Sequence, residues 1–156
     1  MQGQTAPKCP IDISRDPSRM NLDVIHGFLR KSYWAADRSR EEVELSLRHS
    51  LCFGAFCGAE QIGFGRAVSD RAVFAYIADV FVLTEWRGQG IGKALVTAIL
   101  SDPDISGTRT VFLRTRDAHD LYARFGFHPV PDSGDMMALR RHTRSATSAR
   151  ALGETR

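Results

Sequence analysis

Leu22, Ile25, Phe28 and Leu29 recur at three- and four-residue intervals, and Ser32 continues the row. At 3.6 residues per turn these positions share one face, so the spacing predicts an amphipathic helix. Asn21 stands before it as an N-cap, and Arg30-Lys31 stand near its end, where cations meet the negative end of the helix dipole. Ser39-Arg40-Glu41-Glu42 has the spacing of a capping box and opens a second helix through Leu45, Leu47 and Arg48. The period then changes. Leu51 to Phe56 reads as a strand, Gly58-Ala59-Glu60 as a turn, and Ile62 to Val68 as the returning strand. After a turn at Asp70-Arg71, Val73 to Leu83 runs mostly apolar for eleven residues. That is long for a strand, and Asp79 interrupts it. Ile91, Ala94, Leu95, Ala98 and Ile99 mark one face of a third helix. Asp102-Pro103-Asp104 and Gly107 read as a loop. With Ile11-Asp12-Ile13 counted as an edge strand, Thr110 to Leu113 is the fifth. Asp117 is placed to cap a short helix ending near Phe125-Gly126, and Phe127 to Val130 and Met136 to Leu139 read as closing strands. This order of elements predicts a mixed sheet flanked by helices.

Between the fourth strand and the third helix lies Arg87-Gly88-Gln89-Gly90-Ile91-Gly92-Lys93. A glycine-rich turn into a helix aims backbone N–H groups at one spot, at the positive end of a dipole, and so suits a phosphate. The spacing excludes two familiar phosphate loops. A Walker loop needs glycine at position 87 and Ser or Thr at position 94, where Arg87 and Ala94 stand. A dinucleotide G-x-G-x-x-G puts Lys93 or Leu95 at its third glycine. Arg-x-x-Gly-x-Gly does fit, as Arg87, Gly90 and Gly92. It resembles the pyrophosphate loop of the GNAT superfamily of acetyl-CoA-dependent N-acetyltransferases. Thirty residues on, Ala118-His119-Asp120-Leu121-Tyr122-Ala123-Arg124-Phe125-Gly126-Phe127 resembles the family's second motif, A-x-x-L-Y-x-x-x-G-F. The resemblance covers roughly residues 20 to 140.

What the resemblance implies is a GNAT-like α/β (α+β) fold. Its sheet is mixed and mostly antiparallel, is flanked by helices, and has strands four and five splayed apart to admit the pantetheine arm. The implied activity is transfer of an acetyl group from acetyl-CoA, a co-substrate, to a primary amine by direct attack in a ternary complex without a metal. The turn from Arg87 through Gly88, Gln89, Gly90, Ile91 and Gly92 to Lys93 would grip the pyrophosphate. Phe81, Val82 and Leu83 would bond the pantetheine amides through their backbone, and an N–H near Val82, freed by a bulge, would polarise the acyl carbonyl. Thr115 stands where the family often has Asn, beside the pantetheine arm. Tyr122 would protonate the departing thiolate.

The residues themselves suggest the rest of the site. Asp79 is a candidate base, because burial in an apolar strand would raise its pKa. His119 or a chain of waters are the alternatives. Tyr33 and Trp34 between the first two helices, with Phe74 and Tyr76 on the fourth strand, are candidates to line the acceptor pocket. Such an aromatic wall suits a small-molecule amine with an apolar part. A protein lysine or N-terminus is the rival acceptor, and a non-catalytic acyl-CoA-binding module is the rival from another class.

Size and charge add limits. The chain has 156 residues, 43% of them hydrophobic, enough for one domain with a sizeable core. Residues 1–19 read as an arm or edge strand, 20–140 as the acetyltransferase domain and 141–156 as an Arg-rich tail expected to be disordered. The pI near 9.0 belongs to that end. From Arg140 onward there are five arginines and one acid, Glu154, while the whole chain carries only +3. Nucleic acid is therefore not an expected partner. The longest apolar run is too short for a membrane span, and Met1 to Pro10 lacks the apolar stretch of a secretory signal, so no membrane association is expected. Cys9, Cys52 and Cys57 fit no disulfide or zinc spacing, Cys52 and Cys57 read as small apolar residues beside a strand, and a reducing, cytoplasmic setting is expected. The sequence leaves the identity of the amine and the oligomeric state, a homodimer among the options, open.

Overall fold

A computed structural model of the chain describes residues 9–131 and 133–141. The Arg-rich tail beyond Arg141, and the claim that it is disordered, lie outside the described residues. The elements are β1 (Ile11–Ser14), α1 (Leu22–Leu29), α2 (Arg40–Arg48), β2 (Leu51–Cys57), β3 (Glu60–Ser69), β4 (Phe74–Val82), α3 (Ile91–Ser101), α4 (Pro103–Ser106), β5 (Thr110–Leu113) and α5 (His119–Ala123). Five strands form one sheet in chain order. Pairing is antiparallel from β1 to β4 and parallel between β4 and β5. The parallel return requires a crossover, which α3 supplies.

The helix starts follow their local chemistry. Asn21 Oδ1 accepts from the N–H groups of Asp23 at 3.0 Å and Val24 at 3.2 Å. The capping box is reciprocal: Ser39 Oγ accepts from Glu42 N at 3.1 Å, and Ser39 N donates to Glu42 Oε2 at 2.9 Å. Two further expectations are corrected. Asp117 does not cap α5, which has no side-chain cap; Thr115 Oγ accepts from Ala118 N at 2.9 Å just before the helix begins. The closing strands do not form either. Phe127–Val130 and Met136–Leu139 are irregular, and Val130 and Met137 are exposed. Pro129 within the first segment and Pro131 just after it each remove an N–H, which disfavours a ladder there.

The cysteines also depart from expectation. Cys9 and Cys57 are joined as a disulfide, with Cα atoms 5.9 Å apart. The pairing of Ile11 with Cys57 across β1 and β2 carries Cys9 alongside, a proximity that a separation of 48 residues hides. The expectation that the three cysteines fit no disulfide is corrected by this pairing. Cys52 is free, and burial pushes its thiol up to about 11, so it is an inert side chain and not a nucleophile.

Each sheet face carries a core. On one, Leu95 and Ile99 of α3 pack with Phe53, Ala55, Ile62 and Ile77. On the other, Ile25 and Leu29 of α1 and Val43 of α2 pack with Phe64 and Phe81. Small residues on β3 let α3 sit close. A Cβ on Gly63 would lie 3.0 Å from the Phe81 carbonyl oxygen and 3.2 Å from Leu95 Cδ1. Gly63→Val should therefore overpack this contact and lower stability by about 1–3 kcal/mol. A lower urea midpoint at unchanged slope would bear this out; an unchanged midpoint would show that α3 has room to move.

The feature that shapes the site is a bulge in β4. Phe64 pairs with Phe81 and Arg66 with Ala78, so Asp79 and Val80 together oppose Gly65. Asp79 has φ +56°, a left-handed conformation that Asp tolerates better than most residues. The extra residue shifts the strand's phase. Ala75 and Ile77 face α3 before it, and Val80 and Val82 after it. The Asp79 carboxylate is fully covered. It accepts from Arg38 Nη1 at 2.8 and 2.9 Å, from Arg66 Nε at 2.6 Å and from Trp34 Nε1 at 2.9 Å. Burial alone would raise its pKa, but the charge and hydrogen bond of Arg66, then those of Arg38, hold it below its ordinary value of 3.8. A depressed carboxyl pKa means stability that is complete above that ordinary value and lost as pH falls through the lower, folded-state value. Asp79→Asn leaves two arginines without their counter-charge and should cost on the order of 2–4 kcal/mol at pH 7. Urea unfolding at pH 7, 5 and 3 checks the sign. The gap to the parent should hold from pH 7 to 5 and narrow at pH 3; a gap constant down to pH 3 would show that the carboxylate charge is not what matters.

Candidate functional site

β4 and β5 pair from Phe74–Thr110 to Ile77–Leu113, and no pair follows. Beyond Leu113 the strands part, and a cavity of about 780 Å³ opens at the divergence. Tyr76 to Val80, Leu113 to Ala118 and Tyr122 line it, with Tyr33, Trp34 and Arg38 from the α1–α2 connection. Of the expected site residues, Asp79, Tyr76, Tyr33, Trp34, Thr115 and Tyr122 thus come together.

Phe74 does not join them. It lies five residues before Asp79, about 16 Å along an extended strand, and packs on Phe112 at 5.7 Å between centroids. The strand pattern marks its type but not which end of β4 opens. His119 is exposed and lies outside the cavity lining. Asp79, expected as a base, sits at the cavity wall with both oxygens engaged by arginines and its pKa lowered. An ionised carboxylate in that setting accepts a proton poorly, so it acts better as a counter-charge.

Tyr122 owes its place to the second motif. Gly126 has φ +90°, which a residue with a Cβ rarely adopts, and this lets the chain turn back at the end of α5. Phe127 N then donates to the Tyr122 carbonyl at 3.3 Å, and the two rings meet edge to face at 5.8 Å. Tyr122 is 8% exposed. Burial, then the neighbouring Tyr33 and Asp117, push its phenol up to about 12, so the hydroxyl keeps its proton at neutral pH.

The glycine turn lies outside this cavity, at the far end of β4. Gly88 and Gly90 have φ +77° and +78°, and Gly90 is the N-cap of α3 without a side-chain acceptor. A Cβ on Gly92 would meet only Val82 Cγ2 at 3.8 Å and Leu121 Cδ2 at 3.9 Å. The protein's own packing does not need that glycine; the open space above the first-turn N–H groups does. Lys93 is exposed and Ile91 is a core anchor, 2% exposed. Arg87 ties the turn to the strand, its Nε donating to the Val82 carbonyl at 3.2 Å. A diphosphate fits such a cradle.

The three backbone contacts expected on β4 divide. Leu83 N donates to Ile62 O at 2.9 Å and is used within the sheet. Gly63 and Val82 are therefore a non-hydrogen-bonded pair, which turns the Val82 N–H to the open edge facing the divergence. The Phe81 side chain is core, stacked on Phe28 at 4.0 Å.

Sequence reasoning missed Arg38, Arg66 and Arg116. A charged residue amid Gly63-Phe64-Gly65-Arg66-Ala67-Val68 was a signal equal to Asp79 on the facing strand. Arg116 gave no such signal. Its backbone N–H donates to Tyr33 Oη at 3.1 Å, and its guanidinium lies 3.8 Å over the Tyr33 ring.

Residues 48–129 match the family model described as the acetyltransferase (GNAT) domain. A candidate GNAT-family acetyltransferase from Xanthomonas campestris pv. campestris, known by crystal structure, superposes with a TM-score of 0.80 at 42% identity, over 85% of this chain and 95% of that one. A candidate acetyltransferase of Gibberella zeae is 27% identical over 136 residues, 72% of this chain and 75% of that protein. Rv2747 from Mycobacterium tuberculosis, solved in complex with CoA and NLQ, shares the fold at 20% identity, with a TM-score of 0.62, 76% of this chain and 72% of that one. With the divergent strands, the glycine turn and the buried tyrosine in their places, the chain belongs to the GNAT family of acetyltransferases.

Proposed function

We propose that this protein moves an acetyl group from acetyl-CoA directly to a primary amine of a small molecule, with both bound at once. One observation carries the reading: Tyr122, protonated and buried, lines the same cavity as Tyr33 and Trp34, at the point where β4 leaves β5. The CoA complex of Rv2747 on this fold supports the choice of donor.

Acetyl-CoA supplies the thioester acyl group. The N–H groups from Gln89 to Lys93 are suited to hold its pyrophosphate, and the Val82 N–H is the open-edge donor suited to the acyl oxygen. The arginine-rich wall lowers the pKa of an ammonium bound beside it, because like charge disfavours the charged form. The neutral, nucleophilic amine then forms without a dedicated base. Tyr122 Oη gives a hydrogen bond to the sulfur as negative charge develops. A tyrosinate left there would be more basic than a thiolate, since an unperturbed thiol has a pKa near ~8.5. Any proton given must therefore be replaced by the one the amine releases.

Release of free thiol from acetyl-CoA across a panel of amines is the direct test; a protein-only acceptor would leave every small amine inert while a lysine peptide reacts. Gly90→Glu places a carboxylate at the N-cap and should remove the thermal stabilisation that acetyl-CoA confers on the parent; an equal shift in both proteins would move the phosphate site elsewhere. Tyr122→Phe keeps the ring and removes only the hydroxyl. Its kcat should fall by about 10²–10⁴-fold with acetyl-CoA affinity unchanged. A kcat within about threefold of the parent, with chemistry rate-limiting, would leave Tyr122 a packing residue only.

A further inference from the structure

We propose that the amine taken by this site also carries a carboxylate, which the guanidinium of Arg116 binds with Arg114 beside it. This class rests on the acetyl-transfer reading above and narrows its acceptor.

The cavity is basic. Five arginines line it against two aspartates, Asp79 and Asp117. Arg38 and Arg66 both use Asp79, and one buried carboxylate leaves the pair with a residual positive charge. Arg114 and Arg116, both exposed to the cavity, have no carboxylate within ion-pair distance among the described residues. A plain ammonium entering here meets a net repulsive field, since Asp117 is a single carboxylate against the arginines that Asp79 does not neutralise. An amine that brings its own anion is attracted.

Arg116 is also preorganised. Its guanidinium stacks on the Tyr33 ring at 3.8 Å while its backbone N–H holds the Tyr33 hydroxyl at 3.1 Å. Tyr33 leans edge to face on Trp34 at 5.1 Å, and Trp34 is fixed by its hydrogen bond to Asp79. Stacking uses the flat face of a guanidinium and leaves its in-plane N–H fork open, the geometry that pairs with a carboxylate through two bonds. The pyrophosphate of the acyl donor does not explain this charge, because the glycine turn suited to it lines no part of the cavity. Tyr33, Trp34 and Tyr76 add an aromatic wall for an apolar portion of the acceptor.

The test compares kcat/KM for a panel of amino acids with that for their carboxamides, by thiol release from acetyl-CoA. Phosphoethanolamine and a lysine peptide serve as further arms. The parent should favour the acids at least about tenfold, although the amides are the less basic amines. Arg116→Ala should erase most of that preference through KM for the amine, while KM for acetyl-CoA moves less than about twofold. Arg116→Lys should restore it in part, and Arg114→Ala should weaken it in a protein whose Tyr33 stacking is untouched. Amides used as well as acids, or a preference that survives both alanine substitutions, would overturn the carboxylate assignment and leave acetyl transfer standing. So would a clear preference for phosphoethanolamine or the peptide. Thiol release with none of these acceptors would overturn acetyl transfer itself, and the carboxylate with it.

Discussion

The buried carboxylate of Asp79 and its two arginines hold the centre of this structure. A residue in the left-handed region at a β-bulge is costly unless its surroundings fix it. Here Arg66 from β3, and Arg38 and Trp34 from the connection between α1 and α2, all converge on that side chain. The same contacts that secure the bulge therefore pin the α1–α2 connection over the sheet. The bulge in turn rotates the end of β4, so that the Val82 N–H faces an edge β5 has abandoned. The α1–α2 wall of the cavity and the bulged end of β4 are thus tied to one ion cluster.

Charge and chemistry are linked through that cluster. Two guanidinium groups around one carboxylate keep Asp79 ionised and leave the cavity positive. That setting disfavours a base at Asp79, and on the acetyl-transfer reading proposed above it makes a dedicated base less necessary, because a positive field lowers the pKa of a bound amine. In the same cavity, burial acts on Tyr122 in the other direction and keeps its proton in place. Carboxylate and phenol thus hold opposite protonation states at neutral pH for separate physical reasons.

The donor half of the site depends on close packing. Glycine at positions 63 and 65 allows α3 to approach β3 within ordinary contact distance. That approach sets where the helix begins, and so where its unpaired N–H groups point. Arg87 then fastens the glycine turn to the Val82 carbonyl, beside the open strand edge.

Much of this was legible in the residues alone. Capping pairs, turn glycines and the change of apolar period are local chemistry, and they marked α1, α2, α3, α5 and the five strands, while α4 read as a loop and two closing strands were expected that do not form. The two motifs, at Arg87–Gly92 and Ala118–Phe127, pointed to the family by resemblance, and Gly88, Gly90 and Gly126 within them hold the positive φ angles that glycine adopts most readily. Asp79 was visible as a polar break in an apolar strand, but its role was not. Whether a buried carboxylate is raised or lowered in pKa depends on what faces it, and Arg38 and Arg66 lie 41 and 13 residues away in the chain. The pairing of Cys9 with Cys57, the seat of Phe74 outside the cavity and the stacking of Arg116 on Tyr33 were decided the same way. The sequence by itself determined the elements and the motif chemistry, because these depend on neighbours within a few residues. Only the tertiary structure decided which charges meet, because that depends on strand register and on where β4 bulges.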